Sequence, residues 1–88
     1  MAGFYDNLSP EDVTTLDRLA RLLIELRESR EALLSRYGVT NEETLLKKIL
    51  SGELTEHPAY EDYLGTRVVH TTREAIRAGL REYMLRIK

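Results

Sequence analysis

The chain has no cysteine and no tryptophan, and only one phenylalanine, two prolines and five glycines among its 88 residues. Without cysteine, neither a disulfide framework nor a thiolate metal site supplements the core. Scarce proline and glycine leave few forced breaks and favour long regular elements. The glycines are scattered at turns and helix ends, so there is no glycine-rich phosphate loop. No apolar run approaches the ~20 residues of a bilayer span. Met1 to Asn7 lacks the basic-then-apolar order of a signal peptide. The expectation is a cytoplasmic protein with no membrane partner.

What is present is charge and leucine in helical spacing. Charged residues make up 32% of the chain, with a net charge of −2. That small value hides an asymmetry. Residues 1–66 hold seven Lys/Arg against thirteen Asp/Glu, whereas residues 67–88 hold six basic residues against two acidic ones. An acidic body therefore carries a basic C-terminal segment, which implies either antiparallel packing of the two or an anionic partner. A chain of this length makes a single domain that buries only roughly 60–65% of its unfolded surface. Further burial would come from self-association or from a partner.

The pattern predicts an all-α fold of long helix, short helix and long helix after an N-terminal arm at 1–8. The first helix, 9–37, opens on Ser9-Pro10-Glu11-Asp12, an N-cap serine, a proline at the first helical position and acids in the first turn. Gly38 supplies its left-handed terminator. The second, 41–51, opens on a capping box at Thr40-Asn41-Glu42-Glu43 and stops at Ser51-Gly52. The third, 58–87, starts at Pro58. Its middle, Thr66 to Thr72, is rich in β-branched residues, so a mixed α+β reading with an extended piece at 66–71 is the alternative. Against it, Tyr60, Leu64, Val68 or Val69, Thr72, Ile76, Leu80, Tyr83 and Ile87 keep helical spacing throughout.

Leu16, Leu19, Leu23, Leu26, Leu33 and Tyr37 form a seam with a/d spacing along the first helix. Leu22-Leu23-Ile24 spans ~200° of its surface, more than one neighbouring helix covers. A second copy is the economical cover, giving a homodimer of two antiparallel hairpins in a four-helix-type bundle. Leu16, Leu19, Leu22, Leu23, Leu26 and Arg30 are the candidate interface. Arg30 occupies an a position, where it either snorkels to the edge or pairs with an acid across the interface.

The sequence offers no catalytic constellation. His57 and His70 are the only imidazoles, and no nucleophile stands beside a base in a recognisable motif. His57 and Glu61 at i,i+4 offer two metal ligands where zinc takes three or four, so neither a metal nor another cofactor is expected. His57 itself suits a helix cap.

Arg73, Arg77 and Arg81 recur at i,i+4 as a basic ridge, with Tyr60, Tyr63 and Tyr83 on the same helix. Arginine and tyrosine are common interface anchors, so Arg73, Arg77, Arg81, Tyr60 and Tyr63 form the candidate partner-binding set. The expected function is a non-catalytic, self-associating regulatory or protein-binding subunit, antitoxin-like or accessory in role. The alternative is a DNA- or RNA-binding regulator using the arginine ridge. A pI of about 5.7 and the lack of aromatics interleaved with the arginines weigh against it.

Overall fold

Ser9 sits in extended backbone at the entrance to the first helix, and its side chain accepts from the Asp12 N–H at 3.1 Å. The Asp12 carboxylate returns a bond from the Ser9 N–H at 3.3 Å, closing a reciprocal cap. From there α1 runs over Pro10–Ser35. The computed structural model describes residues 8–86; most of the N-terminal arm at 1–8, and Ile87 at the end of the third helix, lie outside them.

α1 ends in a Schellman motif. The Val39 N–H reaches the Leu34 carbonyl and the Gly38 N–H reaches that of Ser35, with Gly38 at φ +68. Leu34 and Val39 are both buried in the same core cluster, which supplies the hydrophobic contact that accompanies this ending. α2 covers Glu42–Leu50, and its cap is Asn41, whose side-chain oxygen accepts from the Thr44 N–H at 2.8 Å. The expected Thr40 capping box is therefore replaced by a single asparagine cap one residue later.

α3 covers Glu56–Arg86, with His57 non-helical at φ −110, ψ 125. The proline ring clashes with a helical residue before it, so the continuous helix begins at Pro58 as the sequence predicts. The middle is unbroken helix, and among the described residues there is no strand. The α+β alternative at 66–71 is thereby overturned. Thr66 shows why: it is fully buried, with its hydroxyl donating to the Tyr63 carbonyl at 2.7 Å. A threonine placed this way loses little to its weak helix propensity, a few tenths of a kcal/mol, while its methyl fills the seam.

α1 and α3 form an antiparallel hairpin, and α2 packs against α3 at the connecting end. The core gathers at that end, where Leu34, Val39, Leu45 and Tyr63 are buried with Tyr37, Leu46, Ile49 and Leu54 around them. Beyond it, among the described residues, the hairpin consists of two helices. The principal extents are 58 × 20 × 18 Å and the radius of gyration is 17.7 Å, against about 12 Å for a compact chain of this length. Among the described residues no helix is long and apolar enough to cross a membrane.

Candidate interaction site

The inner seam accounts for most of the leucines of α1. Leu16 is buried, and Leu19, Leu23, Leu26, Leu33 and Tyr37 are half-buried. On α3 the matching positions are Ala59, Asp62 with Tyr63, Thr66, Val69, Arg73, Ile76, Leu80 and Tyr83, spaced alternately by three and four. Of the residues assigned on sequence to an oligomer interface, Leu16, Leu19, Leu23 and Leu26 thus face α3 of their own chain. Leu22 is left exposed at 38%, and Ile24, on the other flank, at 48%.

Arg30 neither snorkels free nor waits for another chain. Its Nε donates to Glu42 Oε2 at 2.7 Å and its Nη2 donates to the other carboxylate oxygen. The planar fork makes this side-on pair bidentate and ties the first turn of α2 to α1. Hydrogen bonding from Arg30 holds the Glu42 carboxyl below the usual range, against the opposing effect of burial.

Two tyrosine–carboxylate clamps close the ends of the hairpin. Near the turn, the Tyr37 hydroxyl donates to Asp62 Oδ2; at the far end, the Tyr83 hydroxyl donates to Asp12 Oδ1. Each joins a residue at the C-terminal end of one long helix to an acid near the N-terminal end of the other. Bonds from Tyr83, then Ser9, lower the Asp12 pKa below its ordinary value. The same bond raises the Tyr83 pKa. On sequence Asp12 is a first-turn acid suited to the helix dipole, and Tyr37 and Tyr83 lie on apolar seams. The available signal was an acid in the opening turns of each long helix facing a seam tyrosine at the end of the other.

The candidate partner-binding residues do not form one surface. Tyr63 is in the core, only 9% exposed, because it sits where α2 crosses α3 and its ring is needed to fill that junction. It is not a free anchor. Tyr60, 40% exposed, stacks on it with ring centroids 5.9 Å apart. Arg67 lies over the Tyr63 ring at 5.9 Å, a cation–π arrangement. Arg73 occupies the inner seam, half-buried, with its Nε enclosed and unpartnered. Arg77 lies 3.6 Å from Glu74, and Arg81 is exposed. The ridge therefore runs from the seam outward, with only Arg77 and Arg81 presented to solvent.

His57 Nδ1 lies 2.6 Å from Glu61 Oε1, so these two candidate metal ligands engage each other, and the imidazole does not cap the helix. Among the described residues no three His, Asp or Glu side chains come together as a metal site. His70 lines a groove between α2 and α3 with Glu42, Glu43, Leu46, Tyr63, Arg67 and Thr71.

The apolar stripe read along α3 divides in two. Tyr60, Leu64, Val68 and Thr72 are exposed, whereas Val69, Ile76, Leu80 and Tyr83 turn toward α1. A row of residues four apart drifts by about 40° per step, so it begins on the outer face and ends on the inner one. The outer face bears a groove lined by Leu64, Arg67, Val68, Thr71 and Thr72.

No curated protein and no solved structure matches the chain. Residues 9–87 match the family model of the uncharacterized protein MJ0235 family, and the chain belongs to that family.

Proposed function

We propose that this protein is a non-catalytic helical docking subunit that self-associates and acts by binding another protein, in an antitoxin-like or accessory role. The observation that carries the reading is the bare hairpin. Beyond the core at the turn, two helices about 20 Å across extend with no second layer among the described residues, and Leu22, Ile24, Leu64, Val68 and Leu85 stand exposed along them. Apolar side chains arranged in rows on an elongated scaffold fit association with other helices better than a solvated monomer. Arg77 and Arg81 add a cationic edge suited to an acidic protein surface.

Two measurements test it. Sedimentation equilibrium at micromolar concentration should return an oligomer. An Arg77→Glu/Arg81→Glu variant should melt within roughly 0.5 kcal/mol per site of the unmodified protein yet fail to co-purify the native partner. A monomer that co-purifies no protein would overturn the reading. Retention on heparin that is lost at moderate salt would replace it with nucleic-acid binding.

A further inference from the structure

α3 carries a second seam. On the side opposite α1, Leu64, Val68, Thr71, Ala75, Ala78, Glu82 and Leu85 are all exposed, and they repeat at alternating intervals of four and three. That is the spacing with which one helix meets another along its length. The two seams lie roughly 170° apart at 100° per residue, so α1 does not cover this one; α2 lies along its Arg67 edge, where Arg67 and Thr71 share a groove with Glu42, Glu43 and His70. Leu64, Val68 and Leu85 are 41%, 65% and 63% exposed. At the same spacing the row continues back to Glu61, and Glu61 and Glu82 are its charged residues. Its centre is small, with Thr71, Ala75 and Ala78 flanked by Thr72 and Gly79, and a groove runs along Leu64, Val68, Thr71 and Thr72.

The charges beside the row say what covers it. One edge carries Tyr60, Arg67, Glu74 and Arg81 at seven-residue intervals; the other carries Gly65, Thr72, Gly79 and, at the end of the helix, Arg86. In an antiparallel pair of identical helices, like edges face each other. One register sets Leu64 against the partner's Ala75 and Val68 against the partner's Thr71. It brings Arg67 beside the partner's Glu74 twice about the two-fold axis and Tyr60 beside the partner's Arg81, and sets Ala78 against the partner's Glu61. A shift of one heptad in one direction sets Arg67 against the partner's Arg81 and Glu74 against the partner's Glu74. A shift in the other direction sets Arg67 against the partner's Arg67. A parallel pair puts Arg67 and Glu74 beside Thr72 and Gly79, where neither finds a charge. Opposite charges at the edges select register and partner even where each pair contributes little affinity.

We propose that the outer face of α3 is a self-association surface that takes the α3 of a second copy, antiparallel, in the register that places Arg67 beside the partner's Glu74. The proposal rests on the self-association reading above and names its surface. It moves the interface from the leucine seam of α1, which packs against α3 within the chain, to the far side of α3. The interface is isologous, as a two-fold dimer requires, and leaves the exposed Leu22 and Ile24 outside it.

The test uses the full chain, which has no cysteine of its own. In L64C/A75C the two thiols stand about 16 Å apart along one helix, too far for a disulfide within the chain. In the proposed register they meet their counterparts in the second copy. Mild oxidation should therefore give a covalent dimer. L64C/E82C, which reports the register one heptad away, should stay uncrosslinked. In parallel, R67E and E74R should each weaken the dimer by roughly tenfold or more, because each exchanges two attractions for two repulsions. The R67E/E74R double variant should regain the original affinity by restoring opposite pairs. Circular dichroism at matched concentration confirms that each variant keeps its helix.

Crosslinking by L64C/E82C instead, or charge reversals that leave affinity unchanged in an otherwise oligomeric protein, would overturn this surface and leave self-association standing. A monomeric unmodified protein would overturn both.

Discussion

Tyr83 and Asp12, 71 positions apart in sequence, meet through a hydroxyl and a carboxylate at the open end of the hairpin. The bond favours ionised Asp12 and neutral Tyr83, so its contribution depends on pH in two directions. Asp12 titrates lower in the folded chain than its ordinary value of 3.8. The unfolded chain therefore binds the proton more tightly, and the stabilisation is complete above that value and lost as the pH falls through the lower folded one. Tyr83 titrates higher than its ordinary value of 10.0, so its part is complete below that and lost as the pH rises through the higher folded value. Tyr83→Phe should melt at a lower temperature than the unmodified protein at pH 7. The deficit should shrink as the medium is acidified below the ordinary aspartate range. Thermal melts from pH 7 to pH 3 check this, and a deficit that stays constant would show that the ring's packing, not the clamp, was what mattered.

At the scale of the element, two glycines separate conformation from packing. Gly38 ends α1 at φ +68 and Gly79 lies within α3, and a β-carbon added at either would meet nothing within 4 Å. Any difference between their alanine variants is therefore a backbone effect. Gly38→Ala must hold an L-residue in the left-handed region, at a cost of roughly 1–2 kcal/mol. Gly79→Ala removes unfolded-state freedom from a position that is already helical and should gain roughly 0.5–1 kcal/mol. Urea unfolding of the two variants should move the midpoint in opposite directions. α2 is too short to persist as a helix by itself. Its place depends on Leu45, which is fully buried in the core, and on the Arg30–Glu42 pair that ties its first turn to α1.

For the whole molecule, the dominant fact is the mismatch between length and girth. An extent of 58 Å with cross-sections of 20 and 18 Å leaves the inner seam only half-covered over most of its run. The fully buried large side chains Leu34, Leu45 and Thr66 all lie at one end. If two copies associate through the outer face of α3 as proposed, linkage makes the melting temperature rise with protein concentration. Melts across a hundredfold range of concentration should show that rise. A melting temperature independent of concentration would mean that the hairpin stands alone.

The sequence by itself determined the helices. Ser9-Pro10, Asn41, Gly38, Gly52 and Pro58 are local signals acting within a turn of backbone, and they set the ends of the elements to within one or two residues. It also determined the inner seam on α1, because three-four spacing is a property of one helix. What covers each face was a tertiary decision. Arg30 reads as an inward or bridging cation until Glu42, twelve residues on, is brought beside it. Tyr63 reads as an interface anchor until α2 folds over it. The two clamps join residues 25 and 71 positions apart, a separation that no local pattern encodes. The single stripe read along α3 became two because residues four apart advance 400° around a helix and not a full number of turns. Only the position of α1 decided which of them lay inside.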